Sequence, residues 1–168
     1  MNGDEIRRVC IEDPYVRPLF RGVFALNELP NPLEPRGIYF MNLQPYPEPG
    51  NHWTVIQSNI EATSICIYFD SFAQKPPPEI IENLFSQTRE VYYNDVIVQN
   101  PLSQVCGHIS ILIAKYWARG YTTIEILTQH LYNSVRFPFI NDVLAETIIS
   151  DNSSVESRPI IPPASQKL

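Results

Sequence analysis

The chain has 168 residues, enough for one domain; at that size roughly 70% of the unfolded surface can be buried, so folding requires neither disulfides nor a structural metal. Apolar residues make up 44% and charged residues 18%, and the net charge of −6 argues against a general nucleic-acid binder, which would present a basic face. The three cysteines, Cys10, Cys66 and Cys106, are widely spaced and odd in number, which excludes a disulfide framework and a C-x-x-C zinc pair. A reducing, intracellular compartment is the simpler expectation. No apolar run approaches the ~18 residues of a membrane span, and Met1-Asn-Gly-Asp-Glu is no signal peptide, so a soluble protein without a membrane partner is expected.

In chain order, residues 1–21 mix charges with apolar residues, and Asp4 is placed to cap a short helix through Arg8. Phe20, Val23, Phe24 and Leu26 are candidates for the core. Residues 30–36 form a proline-bearing loop, and Gly37 to Leu43 reads as a buried strand. Pro45, Pro47, Pro49 and Gly50 make the next segment a turn-rich loop. His52 to Gln57 is a second strand, residues 58–63 a connection, and Ser64 to Phe69 a third strand with Asp70 at its end. Two antiparallel strands joined by a short loop bring the start of one to the end of the other, so His52 and Asp70 are expected to be neighbours.

Pro78 opens a helix through about Thr88, and Val91 to Val98 is a further strand. From Ser103 or Gln104 the pattern turns helical: Val105, Ile109, Leu112, Ile113, Tyr116 and Trp117 make one apolar stripe, ended by Gly120. Thr122 and Glu125 form a capping-box pattern for a helix to about Leu131, and Pro138 to Ile149 is a last helix. Residues 151–168 are Ser- and Pro-rich without periodicity and are expected to be a disordered tail after a domain spanning 1–150. Strands come first and helices after, an α+β order.

Cys106 stands where a polar, proline-bearing segment meets the long helix. Free backbone N–H groups and the positive helix end favour a thiolate there. Cysteine catalysis needs a nucleophile, a base, a group to orient the base and donors for the oxyanion. The chain offers Cys106, His52 and Asp70 for the first three roles. For the oxyanion, Gln99 and Gln104 compete to act beside the Cys106 backbone N–H. Trp53 is either core or part of the wall beside His52, and Cys66 is inert packing. His108, two residues beyond Cys106, points to the opposite side of a helix. His130 lies at a helix end, where a cation is favoured.

The ordered set resembles the adenovirus maturation protease (adenain) and its relatives. These include the proteases of large self-replicating DNA transposons of the Maverick/Polinton type and, more distantly, the SUMO-specific proteases. The motifs are His52-Trp53, the strand C-I-Y-F-D-S-F-A carrying Asp70, and Q-N-P-L-S-Q-V-C-G, in the family order His, acid, Gln, Cys. The match of the last motif to the family's glutamine, seven residues before the nucleophile, implies Gln99 over Gln104. The resemblance covers roughly residues 20–120.

It implies a papain-like cysteine peptidase, an α+β fold in which a central helix carrying the nucleophile packs on a mixed sheet carrying His and the acid. It implies an endopeptidase that processes viral or transposon capsid or polyprotein precursors after Gly-containing stretches, in a host nucleus or virion. The adenovirus enzyme is activated by DNA and a disulfide-linked peptide. Here the acidic balance gives DNA activation no support and no cysteine matches the peptide-binding one, so no cofactor is expected. An isopeptidase for SUMO or ubiquitin-like proteins and a catalytically idle binding module on the same fold are the alternatives.

Overall fold

The computed structural model describes residues 1–131, 139–151 and 155–157. Its centre is one mixed five-stranded sheet in which spatial order follows chain order. Strand β1 (Phe20–Ala25) runs parallel to β2 (Arg36–Asn42). Strands β2, β3 (Trp53–Asn59) and β4 (Ile65–Phe69) are antiparallel neighbours, and β5 (Glu90–Tyr93) lies parallel to β4. The helices are α1 (Gly3–Glu12), α2 (Ile60–Thr63), α3 (Pro78–Phe85), α4 (Cys106–Ala118), α5 (Thr123–Glu125), which runs on as a π-helical turn over Ile126–His130, and α6 (Ile140–Ser150). This is the α+β architecture that the order of apolar segments predicts.

Both faces of the sheet are buried, which explains why its strands read as apolar runs. Along β2, Ile38 and Phe40 enter one core while Tyr39 and Met41 enter the other, the period-2 alternation of an extended chain. The first core lies between the sheet and α1, α4 and α6; the second is closed by α3 and by Leu29 and Leu33 of the loop before β2. Helix α4 is buried on nearly every side, Ser110 and Lys115 included, rather than along one stripe. It packs against β3, α1 and α6, and Trp117 meets the Phe69 ring edge-on at 6.5 Å.

Several boundaries differ from the sequence-based expectation for identifiable reasons. Asn2, not Asp4, caps α1: its side chain accepts from the Asp4 and Glu5 N–H groups while Glu5 takes the Asn2 N–H, and the helix runs on to Glu12. Segment 20–25 is a strand, hidden in the sequence by a bulge between Phe20 and Gly22, where Gly22 sits at φ 136°. The 58–63 connection is shorter than expected, because β3 continues to Asn59 and is followed by one helical turn. Helix α3 stops at Phe85, short of Thr88. Strand β5 ends at Tyr93 although the apolar run continues to Val98. There the Asn94 side chain replaces the ladder, accepting from Asp70 N and donating to the carbonyls of Asp70 and Val96. The expected start of the last helix, Pro138, lies outside the described residues. So does the expected tail apart from Asp151 and residues 155–157, of which Val155 is buried in the core with α4.

The far end of α4 is anchored by buried charge. Asp13, just past α1, accepts from Lys115 Nζ at 3.0 Å and Arg119 Nη2 at 3.1 Å through one oxygen, and from the Tyr15 and Val16 N–H groups through the other. Burial pushes the Asp13 carboxyl up, but the Lys115 and Val16 hydrogen bonds, with the charge of Lys115 and the Arg119 hydrogen bond behind them, outweigh it and hold the group below the ordinary carboxylate range. Removing one member of such a buried set is far costlier than breaking a surface pair. Asp13→Ala is expected to cost about 3–5 kcal/mol, read as a lowered urea midpoint with an unchanged slope.

Candidate active site

The antiparallel pairing of β3 and β4 sets Val55 opposite Phe69. Continued past the strand ends, that register places His52 across from Phe72 and diagonal to Asp70, on one side of the ribbon. Both contacts are present. The His52 ring stacks on Phe72 with centroids 5.2 Å apart, and His52 Nε2 lies 2.9 Å from Asp70 Oδ2. The second Asp70 oxygen accepts the Phe72 N–H at 2.7 Å, so this fully buried carboxylate has a partner on each oxygen. Donation from Nε2–H to the carboxylate leaves Nδ1 as the nitrogen able to accept a proton.

Cys106 is the first residue of α4, and no side chain caps that end of the helix. Its sulfur accepts from the Trp53 N–H at 3.5 Å. One turn further along α4, Ser110 Oγ donates to the Trp53 carbonyl at 3.3 Å. Trp53 therefore pins α4 to β3 through both of its main-chain polar groups, and this brings the sulfur to the strand end where His52 stands. Gly107 eases the approach, since a Cβ there would lie 3.1 Å from Met1 Sδ and 3.3 Å from Trp53 Cδ1 and would require them to give by a few tenths of an ångström.

The electrostatics follow from these contacts. Burial alone would push the Cys106 thiol up. The neighbouring His52 ring and its positive charge, with the Trp53 N–H and the Gly107 N–H, outweigh it and hold the thiol below its usual value. His52 moves the other way: burial disfavours its charged form, but the hydrogen bond to Asp70, the neighbouring Cys106 sulfur and the charges of both raise it to about 9. The two shifts describe one coupled pair in which the thiolate and the imidazolium stabilise each other. Cys10 and Cys66 show the contrast: burial pushes them up to about 12 and about 11, which leaves both as unreactive thiols, as the apolar setting of Cys66 predicts.

His52, Trp53, Phe72, Gln99, Gln104 and Cys106 line one cleft of about 390 Å³. Gln99 is fully buried within its wall. Its Oε1 accepts from Ser71 Oγ at 2.6 Å and its Nε2 donates to the Ser103 carbonyl at 2.9 Å, which accounts for one of the two Nε2 hydrogens. Trp53 serves as both core and wall, with its side chain in the α4-side core and its indole N–H on the Met1 carbonyl. His108 faces a different pocket, with Glu5, Arg8 and Ile149, and His130 packs between Tyr116 and Tyr121. Among the described residues, no group of three His, Cys, Asp or Glu side chains is placed to hold a metal ion. None of their helices is long and apolar enough to cross a membrane.

Sequence reasoning missed Ser71, Phe72 and Asn94, which hold Gln99, His52 and Asp70 in place. Position offered a signal only for the first two, which follow Asp70 directly. Asn94 was unreadable, because its contact spans a loop and a helix. Scanned against protein-family models the chain has no match, and no curated protein matches it either.

The coupled pair makes a pH prediction. Iodoacetamide alkylates Cys106 in the folded protein and spares Cys10 and Cys66. Its rate rises with pH over a lower range than that of an ordinary cysteine thiol and falls on acidification, as the thiolate is protonated. Replacing His52 by Ala lets burial dominate, and the rate at pH 7 falls about tenfold or more. Mass spectrometry of the labelled peptides measures each site.

Proposed function

We propose that this chain is a cysteine endopeptidase of the adenovirus maturation protease type, acting on viral or transposon capsid or polyprotein precursors. The observation that carries the reading is the 2.9 Å contact of the His52 ring with the buried Asp70 carboxylate, on a ring that also holds the Cys106 thiol low. A purely structural histidine has no need of a depressed thiol at an uncapped helix start. The papain-like, adenain-type arrangement of the fold is part of the proposal. It is supported by the burial of α4 between the sheet and α6 and by the chain order His, acid, Gln, Cys.

In this reading the Cys106 thiolate attacks the scissile carbonyl carbon, and the new oxyanion is held by the Cys106 backbone N–H and the remaining Gln99 Nε2 hydrogen. The His52 imidazolium gives its proton to the leaving amine as the C–N bond breaks. Water, deprotonated by His52, then attacks the thioester and frees the acid and the thiol. Asp70 keeps the ring oriented and stabilises its positive charge throughout. Trp53 and Phe72 wall the cleft in which the extended substrate lies.

Cleavage of a peptide library by the purified protein tests the reading. Cys106→Ala abolishes cleavage while circular dichroism and the melting temperature show an intact fold. Gln99→Ala lowers kcat by roughly 100- to 1000-fold, the usual loss for one oxyanion donor, with a smaller change in KM. Full cleavage by the Cys106 variant ends the proposal. Capture of thiol-trapping SUMO or ubiquitin probes without cleavage of any library peptide redirects it to an isopeptidase.

A further inference from the structure

An oxyanion donor is useful only if its N–H points at the developing charge before the reaction begins. A glutamine amide is poorly suited to this by itself. Its terminal torsion is broad, and a half-turn exchanges the donor for an acceptor. A carbonyl oxygen facing the oxyanion would repel it. What fixes the amide of Gln99 is therefore a separate question from the presence of Gln99 in the cleft.

Two contacts decide the orientation. The Ser103 carbonyl can only accept, so the Gln99 atom 2.9 Å from it is the NH2 nitrogen. The atom facing Ser71 Oγ at 2.6 Å is then the amide oxygen, and Ser71 must be the donor. Turning the amide over would set two acceptors against each other at Ser103. Ser71 also grips the same residue through its main chain, because its carbonyl accepts from both Val98 N and Gln99 N. Ser71 is fully buried, so water does not replace its hydroxyl. It directly follows Asp70, whose side chain holds His52.

We propose that Ser71 is a positioning residue: its hydroxyl locks the Gln99 amide with an N–H turned toward the cleft, so that the residue pair Asp70-Ser71 sets both the base and the oxyanion donor. The inference rests on the cysteine-peptidase reading above. Ser71 touches neither substrate nor the reacting atoms. It acts through Gln99, and its loss costs transition-state stabilisation rather than thiolate formation.

Two reagents separate these effects. A peptide aldehyde adds to the sulfur and places an oxyanion in the hole, whereas iodoacetamide alkylates the sulfur and develops none. With acetyl-Gly-Gly-glycinal as the aldehyde, Ser71→Ala is expected to weaken capture about tenfold, a fraction of the loss for deleting an oxyanion donor outright. Its iodoacetamide rate at Cys106, and that rate's pH profile, stay as in the unaltered protein, which also shows the variant is folded. In a Gln99→Ala background, Ser71→Ala causes no further loss of aldehyde capture. Equal capture by the unaltered protein and Ser71→Ala overturns the inference and leaves the peptidase reading standing, as does a Ser71→Ala loss that persists undiminished without Gln99. Failure of the unaltered protein to capture the aldehyde at all overturns both.

Discussion

The arrangement at the cleft depends on the main chain of Trp53. Its N–H meets the Cys106 sulfur and its carbonyl receives Ser110, so one residue of β3 sets the height of α4 against the sheet. The neighbour of Trp53 on the strand is His52, and the antiparallel partner strand delivers Asp70. Helix position and the shifted thiol thus depend on a single junction, to which the strand register brings His52 and Asp70. Packing alone would leave α4 free to slide by a fraction of a turn. Directional hydrogen bonds at both the N–H and the carbonyl of one residue oppose that.

The competition at Cys106 is instructive because its components have opposite signs. Burial disfavours the thiolate, and for Cys10 and Cys66 it prevails. At Cys106 it loses to an adjacent imidazolium and two backbone N–H groups. Exposure does not distinguish the three, since all are buried; what differs is the set of donors around the sulfur. The same holds for the two carboxylates. Asp13 and Asp70 are both buried with both oxygens occupied, yet Asp13 joins two cations and anchors a helix, while Asp70 holds a single ring that can gain and lose a proton.

Much of this was legible in the residues. The β3–β4 connection was short enough to require that His52 and Asp70 meet, and the apolar spacing after Val105 placed Cys106 at a helix start. The α+β order followed from where strands and helices fell. What escaped had an identifiable cause in each case. Strand β1 is broken by a bulge at Gly22, so its alternation is lost. Strand β5 was overextended because Val96 and Val98 are β-prone, while one asparagine side chain diverts the backbone. The supports Ser71 and Asn94 are polar residues whose partners lie 28 and 24 positions away, and no periodicity carries that information.

The salt-bridged end of α4 carries a mechanical consequence. The helix has 13 residues, a rod of about 20 Å with the sulfur at one tip and the Asp13 attachment beside the other. On such a lever, a tilt of about 3° about the anchored end displaces the opposite tip by about 1 Å, and an error of about 1 Å in a reacting group is enough to slow a reaction by about two orders of magnitude. Three charged side chains that never approach the cleft thereby act as its foundation, and a sequence change there would be felt in the placement of the sulfur as well as in stability.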